Sequence, residues 1–251
     1  MSMEAGSLTE RLQEDAARLV EDIRLKGDSA PSVWNELVRV AADRGVAGWS
    51  WERQLMVTRA AMEHLVNLSQ EARSRKDDQA DKLLDQANVW SFNLAADLAP
   101  CWPGDEEPRE IHHLEAGLAA ALQCLEWRQQ LGKGDFPFAL AWWARGVHEL
   151  FLGRPRAVES FHQATQHGLA LAAAQGRSTM LDGDAVYMHL VNAGYGAIAR
   201  AHFGDGQGVE DLRQVLEAFQ EQATRHPEEA EDAAFGRDQL HWTARRLGVM
   251  P

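Results

Sequence analysis

Between Ala141 and Ala164 an apolar helical pattern stops at Gly153-Arg154-Pro155, and a second one starts at once. A connection that short leaves the second helix no route except back along the first, so an antiparallel helical hairpin is expected here. The first arm carries Ala141-Trp142-Trp143-Ala144-Arg145-Gly146, and the second carries Ala157, Phe161 and Ala164. Such a hairpin cannot bury both of its faces alone. It needs further helices on either side, and this requirement constrains the rest of the chain to a helical stack.

Helix signals do recur from end to end, and strand signals are nearly absent. Ser7-Leu8-Thr9-Glu10 reads as a capping box, followed at the helical period by Leu12, Ala16, Leu19 and Ile23, with Gly27 as the stop. Ser29-Ala30-Pro31 opens a second helix with Trp34, Leu37, Val38 and Ala41 on one face, ending at Gly45. Trp51, Leu55, Met62, Leu65 and Leu68 mark a third, which fades into the polar run from Ser69 to Asp78. The fourth shows Leu83, Ala87, Trp90, Leu94 and Leu98 before Pro100 and Pro103-Gly104. The fifth shows Ile111, Leu114, Leu118, Leu122 and Leu125 before Gly132-Lys133-Gly134. After the hairpin and a loop from Gly176 to Gly183, Asp184 is placed to cap a helix carrying Val186, Leu190, Val191, Ala197 and Ala201. Gly204-Asp205-Gly206-Gln207-Gly208 breaks it, and Val209, Leu212, Leu216 and Phe219 follow. Pro227 starts the last helix, with Glu228 and Glu229 favoured at its positive dipole end and Arg245-Arg246 before the Gly248 stop. The expectation is a single all-α domain over 1–251 of about ten antiparallel helices, with 1–75 and 76–251 as its natural subdivision.

From Trp142 to Ala164 the chain resembles a tetratricopeptide repeat. Trp142 and Gly146 stand four apart, as the first-helix Trp and Gly of that family do, and Ala157, Phe161 and Ala164 reproduce its Ala-x3-Phe-x2-Ala spacing. Small residues let two helices approach while aromatics fill the groove between them. The turn is one residue shorter than the family's, Glu149 stands where an aromatic is usual, and no proline closes the unit. The hairpin from Val186 to Phe219 keeps the small residues Ala193, Gly194, Gly196, Ala197 and Ala201, but it begins well beyond one family repeat of about 34 residues. The resemblance therefore implies a degenerate, TPR-like superhelix or bundle. By default it also implies a protein that binds another protein.

Composition narrows the function classes. Hydrophobic residues make up 45% and charged residues 25%, enough for a sizeable core. No stretch approaches the ~18 apolar residues of a membrane span, and Met1 to Gly6 lacks the pattern of a signal peptide. Cys101 and Cys124 have neither C-x-x-C spacing nor numbers for a disulfide framework, so a reducing cytoplasm is expected. Net charge is −13, and Asp205 to Asp238 holds ten carboxylates against three arginines. That surface repels nucleic acid and anionic lipid and steers basic proteins.

Nine tryptophans invite an aromatic-lined groove, although packing in the core with a satisfied indole N–H accounts for most of them. Trp142 and Trp143 lie about 100° apart on a helix, so one is expected in the core and the other at a working surface. Ten histidines raise a metal hypothesis through His112, His113 and Glu115, His148, and the pair His162 and His167, but no H-E-x-x-H spacing occurs. Asp182-Gly183-Asp184 fails as a calcium loop because Tyr187, Met188 and His189 stand where oxygen ligands are needed. The Gly204–Gly208 run has neither the strand nor the Lys-Ser/Thr of a phosphate loop. No catalytic residue, metal or cofactor is assigned. The leading expectation is a cytoplasmic, non-catalytic protein-binding chain, in its specific form an acidic immunity or antitoxin protein against a basic toxin. It would act through Trp142, Trp143, Arg145, Glu228, Glu229, Glu231 and Asp232. The competing expectation is a helical enzyme or small-ligand binder with a site built from Trp143, His148 and His112 or His113. A homo-oligomer fits either.

Overall fold

The computed structural model describes residues 10–12, 14–25 and 31–249. Ser7, Leu8 and Thr9 of the expected capping box, the Gly27 stop and the Ser29-Ala30 opening lie outside the described residues. Ten helices follow one another, with no strand among the described residues beyond a single bridge between Ser178 and Ala185. The chain is an all-α stack. Its backbone groups into two compact units, 1–94 and 95–251.

In the first unit, α1 (Ala16–Leu25) and α2 (Pro31–Ala42) both pack on α3 (Trp51–Ser74). The buried stripe of α1 is Leu19, Val20 and Ile23, and that of α2 is Trp34, Leu37, Val40 and Ala41. Trp34 is completely buried and meets the His64 ring of α3 at 5.5 Å. Ser50 caps α3 by accepting the Arg53 N–H at 3.2 Å. Nearby, the Arg44 guanidinium lies over both Trp49 and Trp51. The polar run from Ser69 to Asp78 falls inside this unit, as the last turn of α3 and the bend into α4 (Ala80–Leu98). Ser69 is buried there, and its hydroxyl donates to the Ala80 carbonyl at 2.7 Å, which joins the two helices across the bend.

The second unit begins within α4 and contains α5 (Ile111–Gln130), α6 (Asp135–Phe151), α7 (Ala157–Ala174), α8 (Tyr187–His202), α9 (Gln207–Arg225) and α10 (Ala230–Arg246). From α5 to α10 each helix packs on the next, and α8 in addition touches both α6 and α10. Helix α6 is its centre. Every residue from Trp143 to Leu150 is buried, as expected for a helix enclosed by neighbours rather than lying on a surface.

The hairpin expected from Gly153-Arg154-Pro155 forms in a recognisable way. Gly153 adopts φ +67°, the left-handed conformation that favours glycine. Its N–H donates to Leu150 O at 3.0 Å, and that of Arg154 to Glu149 O at 2.8 Å, so the last carbonyls of α6 are satisfied as the chain reverses. The two arms meet closely because Gly146 has no side chain: a Cβ there would sit 2.7 Å from the Phe161 ring. Phe161 cannot yield easily, since it is fully buried and stacked on Tyr195 at 5.4 Å. A tighter approach joins α8 and α9, where a Cβ on Gly208 would lie 2.5 Å from Ala201 N and 2.6 Å from Ala197 O.

Two local expectations are corrected. On α5 the stripe of large residues marks the core face only in part: Leu114 and Leu118 are buried and Leu125 is half-buried. Ile111 is 70% exposed and Leu122 is also exposed, whereas Ala116, Gly117, Ala120, Ala121 and Cys124 are buried. The small residues face inward because their neighbours on α6 come close. Asp184 does not cap α8, which starts after Val186. The Asp184 carboxylate turns to Arg225 at 2.8 Å and His226 at 3.1 Å.

Gly146→Ala sets two effects against each other. Helix propensity favours alanine by about 0.5–1 kcal/mol, while overpacking a filled core costs about 1–3 kcal/mol. The variant is expected to be less stable by urea denaturation, and Phe161→Leu in the same chain should recover part of the loss. Alanine at 146 with unchanged or higher stability would show that the close contact is not made.

Candidate functional site

Helix α6 carries three polar side chains into the core, and each makes a hydrogen bond, although His148 Nδ1 has no partner among the described residues. Arg145 Nε donates to Glu149 Oε1 at 3.0 Å, one turn along the same helix, with both side chains buried. The second carboxylate oxygen accepts the Ser160 hydroxyl of α7 at 2.5 Å. His148 Nε2 donates to the Ala95 carbonyl at 2.8 Å. The imidazole lies against Gly117 of α5, where any Cβ would overlap it. Burial depresses the His148 pKa to about 4 from its ordinary 6.5, outweighing the Ala95 hydrogen bond, with the Arg109 charge acting in the same direction as burial. The imidazole is therefore neutral at pH 7.

This arrangement decides where the residues singled out in the sequence lie. Trp143 is the buried member of the adjacent pair, packed against Tyr195 at 6.0 Å and Trp102 at 5.6 Å. Its Nε1 finds no acceptor among the described residues, against the expectation of a satisfied indole, whereas Trp102 Nε1 donates to Ala96 O at 2.7 Å. Trp142 is half-buried, with the Arg145 guanidinium 4.9 Å from its ring. Trp143 and Arg145 thus sit in the core and present no surface to a partner; Trp142 does. His113 is buried at the start of α5, where its Nδ1 accepts the Glu110 N–H at 3.0 Å, while His112 is exposed beside the Glu110 carboxylate. His167 pairs with Asp135 at 2.8 Å and stacks on Phe138. Each of these histidines has a structural neighbour of its own.

The acidic quartet divides. Glu228, Glu231 and Asp232 are exposed at the turn from α9 into α10, around the 3-10 segment Pro227–Glu229. Glu229 instead turns inward. It binds Arg177 through two hydrogen bonds, Nη1 to Oε1 at 2.8 Å and Nη2 to Oε2 at 3.2 Å, and it accepts Gln222 Nε2 at 2.9 Å. Those bonds, with the Arg177 charge, hold the Glu229 carboxyl below its ordinary range and raise Arg177. Arg177 also donates to Asp184 O and Ala185 O, so a single guanidinium ties the loop before α8 to the start of α10. Hydrogen bonding from His226, with help from Arg225, lowers the Asp184 carboxyl.

His226, Glu228 and Glu229 each place one ligand atom within 4.8 Å of the others. Glu229 is already committed to Arg177 and Gln222, so a cation there would have to displace an arginine. Two of the depressions in this unit have polar side chains in their walls. One, of about 360 Å³, lies between α7, α8 and α9, with small residues Ala193, Gly196 and Ala197 in its wall and the Arg200–Asp211 pair beside it. The other, of about 250 Å³, lies beside Gln222, Glu229 and Asp232. Arg177, Gln222 and Asp184 carry no sequence signal of this role, because their partners stand 37 to 52 positions away.

No protein-family model matches this chain, and no curated protein matches it.

Two outcomes follow from the α6 network. Arg145→Ala leaves the Glu149 carboxylate buried without its cation, and a loss of about 3–5 kcal/mol is expected in urea denaturation. Replacing Arg145 by Met and Glu149 by Leu together should restore most of it. For His148, the unfolded chain takes up a proton before the folded one. Its contribution to stability is complete above about pH 6.5 and is lost progressively as pH falls towards 4. Denaturation measured from pH 7 to pH 4 should show a shallower fall for His148→Gln than for the parent chain.

Proposed function

We propose that this chain is a non-catalytic, cytoplasmic protein-binding stack that takes a basic partner on the acidic surface of α9 and α10, in the manner of an immunity or antitoxin protein. One observation carries the reading. Of the ten carboxylates between Asp205 and Asp238, six face an arginine: Asp205, Glu210, Asp211, Glu217, Glu221 and Glu229. Glu228, Glu231, Asp232 and Asp238 are exposed and have no arginine partner among the described residues, and the first three fall within one turn. Uncompensated charge concentrated in this way attracts an oppositely charged surface and raises its association rate.

Other features support the same reading. Polar groups inside α6 serve packing rather than an open cleft, and the α6–α7 hairpin, with Phe161 against Gly146, fits a repeat-like binding architecture. No helix among the described residues is long and apolar enough to cross a membrane. Half-buried Trp142 offers an aromatic contact elsewhere on the unit.

The test uses a partner cross-linked in cells of the source and then purified. Glu228→Gln, Glu231→Gln and Asp238→Asn combined should lower the association rate about tenfold at low salt. The difference should close at about 1 M salt, where screening acts over ~3 Å. An unchanged rate with unchanged salt dependence would end the electrostatic reading.

A further inference from the structure

The cavity of about 250 Å³ in the second unit is walled by five segments that are distant in sequence. Phe136 of α6 and Leu171 of α7 supply apolar wall, Val186 and Tyr187 continue it at the start of α8, and Gln222, Glu229 and Asp232 supply the polar side. This is smaller than the roughly 300–1,000 Å³ typical of clefts for drug-sized molecules. Its size suits one slender group with an apolar stem and a polar head.

The hydrogen-bonding capacity left over in the wall specifies that head. Arg177 is the only basic residue among the lining residues, and four of its five N–H groups are already engaged by Asp184 O, Ala185 O and both Glu229 oxygens. Its charge is balanced by Glu229. Gln222 is 1% exposed, and its Nε2 donates to Ala185 O and Glu229 Oε2, each at 2.9 Å. Both neighbours are acceptors, so the nitrogen must face them and the amide orientation is settled. Gln222 Oε1 is left without a donor among the described residues. A buried acceptor without a partner costs on the order of 1–3 kcal/mol unless a ligand or ordered water supplies the missing hydrogen bond. Asp232 adds a carboxylate with no ion pair among the described residues, and it is near enough to Tyr187 to raise the phenol, a shift to which burial contributes most. With Arg177 cancelled by Glu229, the lining carries one net negative charge. An anionic head would meet Asp232; a cationic donor would meet unspent acceptors.

We propose that this cavity binds a guanidinium or ammonium head on an apolar stem, with Asp232 and Gln222 Oε1 receiving the head and Phe136, Leu171 and Val186 flanking the stem. Resting on the reading of α9 and α10 as a face for a basic partner, it identifies the recognised group as an arginine or lysine side chain. The same chemistry is carried by free alkylguanidines and amines, and the experiment separates the two sources.

The full chain is titrated with n-butylguanidinium, with neutral n-butylurea of nearly the same shape, and with the capped peptide acetyl-Gly-Arg-Gly-amide, following the Gln222 side-chain amide by NMR. Saturable binding of the guanidinium at least tenfold tighter than the urea is expected. Asp232→Asn should weaken it at least tenfold, and Glu159→Gln, at an exposed carboxylate of α7 outside the lining, should leave it unchanged. Phe136→Ala, a half-exposed position, should weaken both ligands alike. Binding of the peptide as tightly as butylguanidinium assigns the cavity to a partner side chain; exclusion of the peptide assigns it to a free small cation. Absence of saturable guanidinium binding, equal affinity for the urea, or indifference to Asp232→Asn overturns the proposal. If the cavity fails while the triple carboxylate variant still slows partner association, the acidic face stands without it. The opposite pair of results retains the cation site and removes the face.

Discussion

The enclosure of α6 is the constraint on which the second unit depends. A helix buried from Trp143 to Leu150 that carries Arg145, His148 and Glu149 must find a partner for each, because an unpaired polar group at those positions would cost more than a typical contact provides. The solution also positions the neighbours. Glu149 receives Arg145 from its own helix and Ser160 from α7, and so fixes where α7 lies along α6. His148 reaches Ala95 O and takes the space that Gly117 leaves on α5. A buried ion pair adds little net stability over apolar side chains of similar shape. Its larger effect here is on register.

How far the fold could be read from the sequence depended on the kind of signal. Helix ends were legible wherever the backbone needed special chemistry: Gly132, Gly153, Gly204 and Gly248 all take positive φ just beyond helices whose ends they were expected to mark. The buried face of α5 was legible only in part from its large residues: Leu114 and Leu118 are core, but Ile111 and Leu122 are exposed while Ala116, Gly117, Ala120 and Ala121 are buried. Bulk indicates burial only when the neighbouring helix stands far enough away, and that distance is a tertiary property.

The candidate site was legible in part. The acidic character of 205–238 follows from composition, and the cluster at Glu228, Glu231 and Asp232 is exposed. What could not be read was the difference between Glu229 and its neighbours. That depends on Arg177 arriving from a loop 52 positions earlier, and on Gln222 lying between them. Four carboxylates of similar appearance in the sequence become one structural anchor and three available charges. The loop from Gly176 to Gly183 likewise carried no sign that its arginine would join two helical ends. Long-range electrostatic pairings of this kind have no periodicity for a sequence pattern to capture.

The contact between α8 and α9 bears on how this chain can diverge. At Gly208 the neighbouring atoms are Ala201 N and Ala197 O, main-chain atoms that cannot rotate aside, whereas at Gly146 the neighbour is a ring that could shrink to a smaller side chain. Position 146 can therefore drift together with position 161, and the pair should covary across descendants. Position 208 has no such compensating partner. Lineages of this chain should retain glycine there long after the surface charges, the turn lengths and even the tryptophans have changed.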